Sequence, residues 1–157
     1  MGSVQRSLIS YQGIDDCQYA DIKNFKQFNI DYIFCIPCQK PDIEQVVKVS
    51  VEPCIEHHEV VKTPVGISLE GQEVTGYKLL VSGDMKLKVE YVADECTQSV
   101  HTAHTTFPFC SYIVLPATFN TSSMIFPTIA VEDVFSEQMD PRCVYNNITM
   151  LLVADIC

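Results

Sequence analysis

From Met85 to Tyr91 the chain alternates without a break: Met85, Leu87, Val89 and Tyr91 are apolar, while Lys86, Lys88 and Glu90 are charged. Successive side chains of an extended chain point to opposite faces, so the segment predicts a strand with one buried and one wet face. It belongs to a longer strand region, Tyr77 to Val92, with a bend or bulge expected at Ser82-Gly83-Asp84. Upstream, Val47, Val49 and Val51 alternate with Lys48, Ser50 and Glu52 inside an extended stretch from Val46 to Thr63. Pro53 interrupts that stretch; proline cannot donate to a ladder, so it marks an edge, a bulge or a bend. Gly66 to Leu69 reads as a short strand followed by a turn, and Ile30, Tyr32 and Phe34 share one face of an earlier strand that ends at Cys35. Downstream, Gln98 to Phe109 alternates more softly, Ile113 to Thr118 stays extended, and Asn120 to Ser123 is a polar loop. Ile125 to Phe135 and Cys143 to Ala154 predict a closing hairpin, turned at Gln138-Met139-Asp140-Pro141, where aspartate and proline are turn formers.

No window of ten or more residues holds a 3.6-residue period. One short helical turn is expected near Asp42 to Val47, with Asp42 as its cap and Gln45 at the capping-box position. With roughly eight strands and that single turn, the fold class is all-β, a β-sandwich or two packed sheets. Residues 1–16 are polar and weakly patterned, and are expected to form an N-terminal arm, flexible or pairing with a neighbour. Residues 17–157 are expected to form a single β domain, without internal repeats.

At 157 residues the chain can bury a core of its own, and an apolar fraction of 47% argues against disorder. Ten Lys and Arg against twenty Asp and Glu leave a formal net charge of −10. Phosphate-rich partners and anionic membrane surfaces would be repelled, so neither nucleic acid nor a membrane is an expected partner. The apolar run Met150 to Ala154 is far too short to span a bilayer. Met1 to Ser10 has no apolar core of the kind a secretory leader needs, so synthesis without export is expected. The Asn-x-Ser/Thr matches at Asn120 and Asn147 then read as chance.

Eight cysteines change the picture. Persistent disulfides are rare in reducing compartments, so this content points to metal sites, to redox chemistry, or to cross-linking once the surroundings become oxidising. Cys35-Ile-Pro-Cys38 has redox spacing, but the expected helical turn starts about four residues later and no βαβ pattern surrounds it, so nothing there activates a thiolate. A structural zinc would need a second ligand pair; Cys17, Cys54, His57 and His58 are available, yet no second Cys-x-x-Cys completes the set. His101 and His104, three apart on a strand, would face opposite sides, and the adjacent His57 and His58 would diverge likewise. Asp15-Asp16, Asp94-Glu95 and Glu132-Asp133 read as solvated charges. There is no nucleophile elbow, dinucleotide fingerprint or phosphate loop. The expectation is a non-enzyme with no cofactor and no metal, and disulfide bonding is the leading role for the cysteines. Cys17 and Cys157 are the first candidates to cross between molecules, one beside the arm and the other at the last residue of the chain, with Cys35 and Cys38 next. Cys54, Cys96, Cys110 and Cys143 are further disulfide candidates; of these, Cys54 and Cys110 adjoin strands, where a cysteine can pack as a small hydrophobe.

The segment Ile36-Pro37-Cys38-Gln39-Lys40-Pro41-Asp42-Ile43-Glu44-Gln45 carries a further signal when joined to Gly83-x-Met85-x-Leu87-x-Val89-x-Tyr91-Val92-Ala93-Asp94. Together they resemble the SPOCS domain of clostridial spore-coat and exosporium proteins, over roughly residues 20 to 115 with a weaker echo in the final hairpin. Where many relatives carry an acidic residue after Ile-Pro, this chain has Cys38, which favours a cysteine-cross-linked member. The resemblance implies a protein made in the mother-cell cytoplasm and exposed to oxidising surroundings when that cell lyses. It implies a structural, self-assembling spore-surface protein in a coat, an exosporium lattice or an appendage filament, with itself and other coat proteins as partners. The alternative it leaves open is a non-enzymatic docking module for a coat morphogenetic protein.

Overall fold

Strand β5 (Glu73–Ala93) carries the clearest alternation and lies between β4 (Ile43–Ile67) and β6 (Val100–Val114), antiparallel to both. The computed structural model describes every residue except 1, 7, 16–22, 68, 70, 72 and 157. β1 (Gly2–Arg6) and β2 (Ile9–Ile14) form a hairpin whose second strand runs parallel to β4 along Lys48 to Ser50. The result is a five-stranded sheet in the order β1-β2-β4-β5-β6. β3 (Phe25–Cys35), β7 (Ile125–Gln138) and β8 (Cys143–Ile156) make a second, antiparallel sheet with β8 in the middle. The all-β expectation holds, with two packed sheets.

The two sheets meet where their alternation demands. Met85, Leu87, Val89 and Tyr91 are fully buried and share one core with Val49, Val51, Phe107, Ile148 and Met150, while Lys86 and Lys88 stay exposed. Tyr32 stacks on Phe107 with ring centroids 4.1 Å apart, which fastens β3 over β6. Toward the other end a second cluster joins Leu79, Val81, Ile113 and Leu115 to Leu152 and Ala154 of β8.

The helical turn expected at Asp42 to Val47 does not form. The segment is the start of β4, and the ladder to β5 shifts between Ile43 and Gln45 and again between Val46 and Lys48. Each bulge inserts one extra residue, so the buried positions run Ile43, Val46, Val49, a spacing of three that imitates a helical period. Val46 and Ile43 gain more by packing beside Tyr91 and Ala93 than a single isolated turn could return. Gln45 makes no cap; its amide donates to the Val46 carbonyl at 2.8 Å.

Much of the stretch expected as an arm is also a working part of the fold. Ile9, Tyr11 and Ile14 are buried in the main core. The Tyr11 hydroxyl donates to the Ser136 carbonyl at 3.2 Å and accepts from the Ser136 N–H at 2.8 Å. Ser136 Oγ in turn donates to Asn146 Oδ1 at 2.7 Å, and Asn146 Nδ2 donates to the Tyr32 and Val144 carbonyls. This chain of buried polar groups pins β2 of one sheet onto β7, β8 and β3 of the other. The close approach of Gly83 to β4 accounts for the irregularity read there: a Cβ would lie 2.0 Å from the Cys54 carbonyl oxygen, next to the bulge between Ile55 and His57.

Candidate functional site

The proline-framed turn, residues 36–42, is wound round one guanidinium. Arg142 Nη1 donates to the Lys40 carbonyl at 2.7 Å and to Asp42 Oδ1 at 3.0 Å, and Nη2 donates to the Pro37 carbonyl at 2.7 Å. The planar fork of arginine suits such a set of converging acceptors. Asp42, expected as a helix cap, is thus an ion partner instead. Arg142 is held by its own turn, where Asp140 Oδ1 accepts from the N–H groups of Arg142 and Cys143, each at 2.7 Å. Tyr91 completes the clasp by donating to the Pro41 carbonyl at 2.9 Å. Burial pushes the Tyr91 hydroxyl above its ordinary pKa, so it remains a donor. Arg142 carries no sequence signal of its own; only its position beside the expected turn Gln138 to Pro141 could have drawn attention to it.

Beside this clasp, Cys35 of β3 is bonded to Cys143 of β8 within the chain, with Cα atoms 4.0 Å apart. The two residues face each other in the ladder, and the Ile36 N–H to Arg142 carbonyl bond next to them marks a pair without mutual hydrogen bonds, where neighbouring strands come closest. Cys35, expected next in line to reach a neighbouring molecule, is therefore committed inside its own chain. Cys38, three residues on, is an exposed free thiol on the clasped turn. Cys96 is also free and exposed, in the turn between β5 and β6. The Asp94 N–H donates to the Asp42 carbonyl at 2.9 Å, so these two turns and their thiols share one end of the sandwich.

Cys54 and Cys110 do not pack as small hydrophobes; both are exposed. Each falls on the outward phase of its strand, Cys110 directly after buried Phe109 and Cys54 opposite Asp84. The Glu56 carboxylate beside Cys54, through a hydrogen bond and its charge, holds that thiol above its ordinary pKa. The thiolate is the nucleophile, so Cys54 should be slow to alkylate near neutral pH. Glu56→Gln removes the charge that opposes ionisation, and iodoacetamide labelling followed by mass spectrometry should show Cys54 reacting at lower pH. An unchanged pH profile would refute the role of Glu56. Cys17 and Cys157, the first candidates for contact between molecules, lie outside the described residues.

His101 points inward and stacks on Tyr91 at 5.9 Å, while His104 points outward. His57 and His58 are both exposed. Among the described residues no three His, Cys, Asp or Glu are gathered as for a metal. A groove of about 510 Å³ crosses the outer face of the five-stranded sheet, with Gln12, Ser50, Lys86, Lys88, His104 and Thr106 along its walls.

The sequence matches the family model described as SipL, SPOCS domain, over residues 42–139. That span is more than half of the chain. The chain belongs to the SPOCS-domain family. Membership makes it a sporulation-associated protein. The SPOCS match begins inside the proline-framed motif, later than the start near residue 20 that the resemblance suggested, and runs through β4, β5, β6 and β7, past residue 115 into the final hairpin. The domain thus includes the bulged entry to β4 and Gln138, whose amide donates to the Ile43 carbonyl at 3.1 Å. No curated protein and no solved structure matched the chain.

Proposed function

We propose that this SPOCS protein is a structural, self-assembling component of the spore surface, in a coat, an exosporium lattice or an appendage filament, with disulfides locking its copies together. The observation that carries this reading is the placement of the free thiols: Cys38, Cys54, Cys96 and Cys110 are all exposed, at one end of the sandwich and on the outer phase of its main sheet. An unpaired exposed thiol is a liability for a lone domain and an asset for one that will be cross-linked. Open strand edges supply the non-covalent contact. Each lock forms when two thiols give up two protons and two electrons to dioxygen or to an oxidised thiol, as the surroundings turn oxidising. Cys17 and Cys157 remain the first candidates for these bonds, with Cys38 next.

Electron microscopy of the purified protein, with and without reductant, tests the reading. Large assemblies are expected without metal or nucleotide, and on a non-reducing gel they should resist hot detergent until reductant is added. Cys17→Ser with Cys157→Ser should abolish that resistance; if it persists, Cys38→Ser is the next variant. Monomer on the non-reducing gel would rule out covalent locking. A second reading, a docking module for another coat protein, is favoured by the groove, where Lys86 and Lys88 outnumber the one carboxylate of Glu52, which suits an acidic partner. A monodisperse monomer under oxidising conditions would select it.

A further inference from the structure

Strand β6 ends the five-stranded sheet, and its outer edge is open among the described residues. Its register on β5 runs without a shift from Lys78↔Val114 to Val92↔Val100. The bonds just beyond its two ends, Ala93 N–H to the Ser99 carbonyl and Leu115 N–H to the Tyr77 carbonyl, both join odd-numbered residues. Hydrogen-bonded pairs alternate along an antiparallel ladder. The odd residues of β6 therefore direct their N–H and C=O groups at β5, and the even residues direct theirs away from the sheet. Pro108, which has no N–H to offer, falls on the open side as this phase requires. The same even residues place His104, Thr106 and Cys110 on the exposed face, while Phe107 and Phe109 go into the core.

Open edges are ordinarily defended by charge, shortness, a bulge or an edge proline. β1 is only five residues long. β3 carries Lys26 and Asp31; β7 carries Glu132, Asp133 and Glu137 with a shift in its ladder. β4, past its pairing with β2, carries Glu52, Glu56, Glu59 and Lys62 and is bulged. Over its fifteen residues β6 has only Pro108 of these: no Asp, Glu, Lys or Arg, and no bulge. Its composition, rich in Val, Thr, Phe, Tyr and Ile, suits pairing. On a chain of net charge −10 it is also a neutral strip, where two copies meet with less repulsion than at the charged edges.

We propose that the open edge of β6 is a self-pairing interface, where two copies join their β6 strands antiparallel about a two-fold axis and fuse their five-stranded sheets into one. Antiparallel pairing about such an axis sets even residues against even residues, each offering its outward groups to the other. Lys26 of β3 lies over the Tyr112 ring at 3.5 Å, which bounds the pairing stretch to Val100 through Cys110. Pro108 removes one donor per copy and leaves the rest. The inference deepens the assembly reading and rests on it for the choice of a second copy as partner.

Analytical ultracentrifugation of the whole chain in reductant, where no disulfide can mimic the contact, tests it. Wild type should sediment as a dimer. Thr106→Glu, which sets a carboxylate on the edge, should weaken dimerisation about tenfold or more, and Thr128→Glu on β7 should leave it unchanged. Hydrogen exchange on the wild type is the second measurement: the amides of Thr102, Thr106 and Cys110 should become protected as concentration rises. A wild-type monomer at all concentrations, dimerisation undisturbed by Thr106→Glu, or fast exchange of those amides at every concentration would each overturn the proposal. If Thr106→Glu still dimerises while oxidised wild type builds large assemblies, the edge contact is wrong and the assembly reading survives. A reduced dimer that never assembles further on oxidation would do the reverse.

Discussion

Replacing Cys35 and Cys143 together by serine is expected to lower the unfolding free energy by about 2–5 kcal/mol. The bond closes a sequence separation of 108 residues, and in the chain-entropy account a cross-link across about 100 residues contributes about 4.7 kcal/mol. β3 and β8 are already paired along eleven positions, from Phe25↔Val153 to Cys35↔Cys143, so the cross-link closes a ladder that forms without it. The loss should thus fall on stability rather than topology. Urea titrations of the wild type in reductant and of the double serine variant should share one midpoint, below that of the oxidised wild type. If reductant leaves the wild-type midpoint where it was, the bond is not formed in solution. The same titration bears on assembly, because a protomer that unfolds when reduced could not build a filament in reductant, whatever its edges offer.

The second large effect is at the centre of the main core. Leu87→Ala should cost about 2–5 kcal/mol, because Leu87 is fully buried between facing sheets and its removal leaves a cavity there. Its neighbour Lys88 is exposed, its nearest charge partner being Glu90 at 3.8 Å. Exposed ion pairs contribute little, so Lys88→Ala should change stability by no more than about 0.5 kcal/mol. Thermal or denaturant unfolding of the two variants checks the pair. Equal losses would mean that the inward and outward phases of β5 have been exchanged.

What could be read from sequence follows the regularity of each ladder. β5 meets β6 without a single shift, so its alternation survives intact and gives Met85, Leu87, Val89 and Tyr91 as core. The entry to β4 is bulged twice, and its Asp42 and Gln45, read as a cap and a capping box, serve an ion pair and a strand instead. β2 offers only Ile9 and Tyr11 in clean alternation, and what anchors it is Ser136, 125 residues away. Nothing local marks such a contact. The bond between Cys35 and Cys143 was equally hidden, since it depends on laying β3 against β8 in one register. The exposure of Cys110 was within reach: Phe107 and Phe109 fix the inward phase of β6, which leaves Cys110 outside. The match to the SPOCS family, over residues 42–139, takes in both the regular ladder of β5 with β6 and the twice-bulged entry to β4.

The place of β8 sets a timetable for the molecule. Among the described residues it is the last strand in chain order, yet it is the central strand of its sheet and supplies Ile148, Met150 and Leu152 to the two apolar clusters. While the ribosome is still making β7, β3 has no partner and the inner face of β5 has no lid. Neither the sandwich nor its two ends can then be completed, and Cys143 cannot yet meet Cys35. The two-sheet sandwich is thus completed only once β8 has been translated. The five-stranded sheet, all of whose strands precede β7, can form first, and the second sheet waits for β8 to join β3 to β7.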